Sequence, residues 1–124
     1  PEFRERSFGK WEGLSLREII SNYPSEFENW KKNPVKFSPP SGESTLEVKD
    51  RTLKAINILI EKHLGESFAV VSHGGVNRIL ICHFLGVPLQ NIFKIEQNYG
   101  CLNIIDIYPD RIPVIRLING VLFK

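Results

Sequence analysis

The sequence predicts an α/β fold of three layers, α/β/α, with a mostly parallel sheet and a C-terminal hairpin. Three observations carry the prediction. Phe68-Ala-Val-Val71 is an uninterrupted apolar run, the pattern of a strand covered on both faces. After Ser72-His-Gly-Gly75 the period changes, and Val76, Ile79, Leu80 and Phe84 fall on one face of a helix. Near the C-terminus, Cys101–Tyr108 and Pro113–Ile118 are rich in Ile, Leu and Val and flank the turn signal Pro109-Asp-Arg111, which reads as a hairpin at the sheet edge. With 124 residues the chain suffices for a single domain, 1–124, with a modest core.

Taken in order, Pro1–Gly13 has no sustained period and reads as a structured loop carrying Glu2, Glu5 and Glu12. Ser15-Leu-Arg-Glu18 is a capping box that starts a short amphipathic helix ending before Pro24. Ser25-Glu-Phe-Glu28 repeats the pattern and starts a second short helix bearing Phe27 and Trp30. Asn33–Gly42, with Pro34, Pro39 and Pro40, is a rigid loop. Ser44-Thr-Leu-Glu47 opens the longest helix, residues 45–64, with Leu46, Leu53, Ile56, Ile60 and Leu64 as its stripe and Gly65 beyond its end. The strand Phe68–Ser72 follows, then the helix Val76–Leu85, which Gly86 and Pro88 terminate. Gln90–Phe93 fits one helical turn, and Lys94–Gln97 a short extended piece before the hairpin. One βα unit and a hairpin are thin cover for a strand buried on both faces, so one more central strand is expected beside Phe68–Ser72. The chain has no methionine and begins abruptly at Pro1, as a processed product or a fragment would.

Composition excludes several classes of function. A net charge of +2, with Lys and Arg scattered, argues against nucleic acid and against a membrane surface as partners. No apolar segment is long enough to span a bilayer, and the opening residues do not read as a signal peptide. Cys82 and Cys101 lie in apolar surroundings without CxxC spacing and read as buried free thiols of a cytoplasmic protein.

The chemistry gathers at Ser72-His-Gly-Gly75. Open α/β sheets bind ligands at the carboxyl ends of their strands. A helix N-terminus offers free N–H groups and partial positive charge to an anion. His73 at such a turn can donate a hydrogen bond to a phosphate or neutralise its charge. Gly74 lets the backbone approach the ligand, and Asn77 is placed to reach it. Glu5 stands between Arg4 and Arg6 and reads either as a surface ion pair or, with a bound anion beside it favouring the protonated form, as a general acid. Arg78 reads as a helix-surface charge, His63 as a structural residue at a helix end, and His83 has no partner at metal-ligand spacing. No zinc, Walker A or nucleophile-elbow motif occurs.

At these residues the chain resembles the histidine phosphatase superfamily, also called phosphoglycerate mutase-like. Three motifs stand in that family's order: Glu5-Arg-Ser-Phe-Gly-Lys-Trp-Glu-Gly13, Ser41-Gly-Glu-Ser44 and Val71-Ser-His-Gly-Gly-Val76. The likeness runs through the whole chain, including Asn98-Tyr-Gly-Cys101. It implies phosphomonoester hydrolysis through a phosphohistidine, with a small-molecule phosphomonoester as partner and no metal or other cofactor. Glu5 would be the proton donor and later the base. His73 would bind the transferred phosphoryl group, helped by the Gly74 amide. Arg6, Trp11 and Asn77 would be substrate contacts. The combination of Phe-Gly-x-Trp-Glu-Gly, Gly-Glu-Ser and Ser-His-Gly-Gly is similar to the α-ribazole phosphatase branch, which acts in cobalamin biosynthesis, and to broad-specificity phosphatases.

The resemblance has one departure. The family's nucleophilic histidine lies in an Arg-His-Gly motif on the first strand, and these 124 residues contain no Arg-His-Gly. The match is to the C-terminal two-thirds of the fold, without its N-terminal central strand, and the chain alone is expected to be inactive. Alternatives are a phosphoglycerate mutase, or a non-catalytic phosphate-binding protein that lost its nucleophile. An uncovered sheet edge also invites strand addition, by a second copy in a homodimer or by strand complementation from another chain.

Overall fold

The computed structural model describes residues 1–121. After a loop with a single turn of 3-10 helix at Gly9–Trp11 come α1 (Leu16–Asn22), α2 (Pro24–Lys32), α3 (Thr45–Lys62) and α4 (Gly74–Leu85). A 3-10 helix, Leu89–Lys94, leads to β1 (Leu102–Ile107) and β2 (Pro113–Gly120). Helices with a small antiparallel sheet make this an α/β chain. No helix among the described residues is long and apolar enough to cross a membrane.

The helix starts follow local chemistry. Ser15 accepts from the Glu18 amide while Glu18 accepts from the Ser15 amide, and Ser44 and Glu47 do the same for α3. Each box satisfies two amides that would otherwise lack partners and contributes about 1 kcal/mol. The expected box at Ser25 does not form. Pro24 occupies the first helical position, where its fixed φ and missing N–H suit the start of a helix, so α2 begins two residues earlier and Ser25 lies inside it. Gly86 ends α4 in the left-handed region at φ +72°.

The core lies where α3, α4 and the Leu89–Lys94 turn meet. Val48, Ile56, Val76, Ile79, Leu80, Cys82 and Ile92 form one buried cluster, edged by Phe3, Leu53 and Ile60. Burying Val76 or Ile79 stabilises by about 1.5–3 kcal/mol each. The deepest seam of α3 is Thr45, Val48, Thr52 and Ile56, rotated from the expected apolar stripe, and Leu64 falls beyond the helix and is exposed. Thr52 is fully buried because its hydroxyl donates to the Val48 carbonyl at 2.8 Å, leaving a methyl to face the core. α4 also packs against β2, and Ile81 is buried outside the main cluster. Both cysteines are free thiols; Cys82 is buried, whereas Cys101 is only half-buried, its thiol 3.2 Å from Gln97 Oε1.

β1 and β2 pair antiparallel from Ile107↔Pro113 to Leu102↔Gly120, with irregular register near Leu102–Ile105. The connecting turn closes through the Arg111 amide to the Tyr108 carbonyl at 2.7 Å. This is the only ladder among the described residues. Phe68–Ser72, expected as a buried parallel strand, forms no ladder: Val71 is 95% exposed and Phe68 39%. The physical reason is direct. Strand amides and carbonyls need a neighbouring strand, and the described residues offer none here. Lys94–Gln97 is likewise unpaired as a strand.

Candidate active site

The structure brings Glu5 to the Ser72–Gly75 turn across some 70 residues of sequence. The Ser72 hydroxyl donates to the Phe3 carbonyl at 2.8 Å, fixing the N-terminal loop against the turn. Two residues on, Glu5 Oε2 lies 3.4 Å from the Gly75 amide, while Oε1 accepts from the Arg6 amide at 2.8 Å. The absence of a side chain at Gly75 leaves room for this approach, since a Cβ there would stand 2.7 Å from Glu5 Oε1 and push the carboxylate aside. A carboxylate and the N-terminus of α4 therefore share one place.

His73 is the residue before α4, in extended conformation (φ −127°, ψ 161°), and its side chain is exposed and makes no capping hydrogen bond. Its carbonyl accepts the Asn77 amide at 2.9 Å, the first helical bond. The amides of Gly74, Gly75 and Val76 come before any intrahelical acceptor. This first turn carries no acidic residue of its own. An imidazole beside N–H groups at the positive end of a twelve-residue helix suits a phosphoryl group.

Arg78 departs from its expected role as a surface charge. Its Nε donates to the Ile95 carbonyl at 2.8 Å, and Nη1 would lie 3.2 Å from a Cβ on Gly74. It ties the residues before the hairpin to the turn and brings a cation close to it. The signal was present in the sequence as an arginine one turn after Gly74, but surface arginines have the same appearance.

Two expected substrate contacts are engaged elsewhere. Arg6 donates to the Glu43 carbonyl (2.8 Å), the Thr45 hydroxyl (2.9 Å) and the Phe37 carbonyl (3.4 Å), and it stacks over Phe8 at 5.2 Å. Burial pushes its guanidinium down, opposed by the Glu43 carboxylate. It also borders a cavity of about 130 Å³ formed with Trp30, Pro34 and Phe93. Trp11 is buried against Phe37, ring centroids 5.4 Å apart, with its indole Nε1 unpartnered among the described residues. It anchors the loop by packing. Gly9, at φ +55°, allows the Lys10 amide to reach the Pro40 carbonyl at 2.8 Å; a side chain at Gly9 would collide with the Pro40–Gly42 backbone.

A histidine just before a helix N-terminus, with a carboxylate brought to the same turn, is an arrangement suited to a phosphoryl group. Residues 1–120 match the model of the histidine phosphatase superfamily (branch 1), and the chain belongs to that family. It is similar to the adenosylcobalamin/alpha-ribazole phosphatase of Escherichia coli K12, 28% identical over 120 residues, 97% of this chain and 59% of the relative. It is also similar to phosphoserine phosphatase 1 of Hydrogenobacter thermophilus, 30% identical over 99 residues, 80% of this chain and 45% of the relative. Among solved structures, the alpha-ribazole phosphatase of Shigella flexneri superposes with a TM-score of 0.84 at 25% identity, covering all of this chain and 62% of that one. The fold is phosphoglycerate mutase-like. The chain spans about half the length of the curated relatives it matches.

Proposed function

We propose that these 124 residues are one domain, the C-terminal two-thirds of a phosphomonoesterase that works through a phosphohistidine. The observation that carries the reading is the meeting of Glu5 with the Gly75 amide beside His73. In this reading a histidine on an Arg-His-Gly segment attacks phosphorus, forming an N–P bond as the P–O bond to the alcohol breaks. Glu5 gives its proton to the departing oxygen. His73 and the Gly74 amide hold the phosphoryl oxygens, and Asn77 borders the substrate. Glu5, now a carboxylate, takes a proton from water, whose oxygen attacks phosphorus and displaces the imidazole as inorganic phosphate leaves. The nucleophile is not among these residues. The unladdered Phe68–Ser72 segment, with Phe68 and Val71 exposed, supports its arrival on a strand paired there, from the same protein or from a second copy.

For the substrate we propose a small phosphomonoester, with α-ribazole phosphate first and a broad range of alkyl phosphates second. The motifs and the relatives named above support that order. The cavity by Arg6, Trp30 and Pro34 supports a specificity role for the loop after Trp30. The mutase and the non-catalytic phosphate binder give different outcomes in one assay. The protein, with its natural upstream coding region in place, is given α-ribazole phosphate, phosphoserine and 3-phosphoglycerate in turn, and free phosphate and phosphoglycerate isomers are measured. Net phosphate release is expected. Isomerisation without release means a mutase, and neither product means a binder.

A further inference from the structure

We infer that Glu43 and Arg51 form a clamp that positions Glu5 for proton transfer, an inference that rests on the phosphatase reading above. Glu5 lies in a stretch without helix or strand, so no ladder of its own fixes it. Its neighbours are held instead by the start of α3 and the residue that leads into it. The Glu43 amide donates to the Ser7 carbonyl at 2.7 Å, and the Ser7 amide donates to Glu43 Oε1 at 2.9 Å. The Glu43 carbonyl accepts from Arg6 Nε at 2.8 Å. One residue thus grips the two positions that follow Glu5.

Arg51, two turns into α3, closes the arrangement. Its Nε donates to Glu43 Oε2 at 2.8 Å and its Nη2 to Oε1 at 3.1 Å, a forked pair. The same guanidinium reaches the loop backbone: Nη1 donates to the Glu2 carbonyl at 2.6 Å and Nη2 to the Glu5 carbonyl at 3.4 Å. Arg51 and Glu43 are 14% and 18% exposed, so the pair is shielded from the solvent screening that makes surface pairs weak. The Arg51 hydrogen bonds hold the Glu43 carboxyl below the usual carboxylate range. Arg4, 4.0 Å from Glu43, adds a second, more exposed cation. The Glu5 backbone is therefore tied at its own carbonyl and at the two residues after it, and its carboxylate extends from this fixed base to Gly75.

Neither clamp residue is placed to touch substrate; both act through Glu5 as positioning residues. An arginine–glutamate pair that merely stabilised the loop would affect folding without singling out the step Glu5 performs.

The test uses Arg51→Lys, which keeps the charge and loses the fork, and Glu43→Gln, which keeps the shape and loses the charge, in the full natural chain. Turnover of an alkyl phosphomonoester is expected to fall about tenfold to a hundredfold, with KM within about twofold, as displacement of a catalytic group by about 1 Å produces. Hydrogen exchange at the Ser7 and Gly75 amides should quicken while Ile79–Cys82 keep their protection. The double variant should lose little more than either single one. Wild-type kcat in the single variants, or unchanged exchange at Ser7 and Gly75, overturns the inference. So does faster exchange throughout α3 and α4. If the natural protein hydrolyses no phosphomonoester, the phosphatase reading fails, and exchange at Gly75 still decides whether the clamp holds Glu5.

Discussion

Glu5→Gln is expected to lower turnover of an alkyl phosphomonoester by about 10²- to 10⁴-fold in the protein carrying its nucleophile, the range for loss of a general acid. An alkoxide is a poor leaving group and needs the proton; p-nitrophenolate leaves without one. The loss should therefore be far smaller for p-nitrophenyl phosphate. The amide side chain keeps the shape and one acceptor oxygen, and the loop stays tied through Glu43, Arg51 and Ser72. Comparing kcat/KM for the two esters in wild type and variant, which reports transfer to the histidine and not the hydrolysis step common to both, makes the check. Equal losses on both would show that Glu5 holds the site together and does not move the proton.

His73→Ala is expected to show the opposite pattern. It removes a hydrogen-bond donor from the phosphoryl oxygens, whatever the leaving group. Turnover should fall about 10²- to 10³-fold on aryl and alkyl esters alike, the scale for losing one stabiliser of developing charge. Competitive inhibition by inorganic phosphate should weaken with it. The side chain is exposed and caps nothing, so the melting temperature should be that of wild type. Steady-state kinetics on both esters with a thermal melt test this. Full activity in the variant would remove His73 from the site.

Both expectations depend on residues the sequence itself made legible. Ser15 with Glu18 and Ser44 with Glu47 announce helix starts because the partners are three residues apart and need nothing distant. Gly86 and the Pro109–Arg111 turn are similarly local. The Ser25 box failed for a local reason too, since Pro24 sits better at the first helical position. What was not legible depends on distant partners. Thr52 is polar in sequence and fully buried in the fold, because its hydroxyl turns back to Val48. Phe68–Val71 has the composition of a central strand, but composition cannot supply the neighbour that makes it one.

The site divides in the same way. His73 and its glycines were readable because the turn and the helix start are contiguous. Glu5 was proposed from its motif, and only the fold brings it to Gly75. Arg6 and Trp11 looked like substrate contacts, yet their side chains serve the loop: one donates to Glu43, Thr45 and Phe37, the other packs on Phe37. Arg51 gave no signal, since an arginine on a long helix is ordinarily a solvated charge and its forked partner becomes apparent only in three dimensions.

In the proposed reaction His73 binds the oxygens of a phosphoryl group carried covalently on a different histidine. The most direct measurement is to quench the protein during turnover of a phosphomonoester and map acid-labile, base-stable phosphate by mass spectrometry. Phosphohistidine is expected within an Arg-His-Gly segment supplied beside Phe68–Ser72, and none on His63, His73 or His83. The 124 residues alone should carry no such phosphate. Phosphate on His73 in that experiment would make His73 itself the nucleophile and overturn its role as a binder of the phosphoryl oxygens.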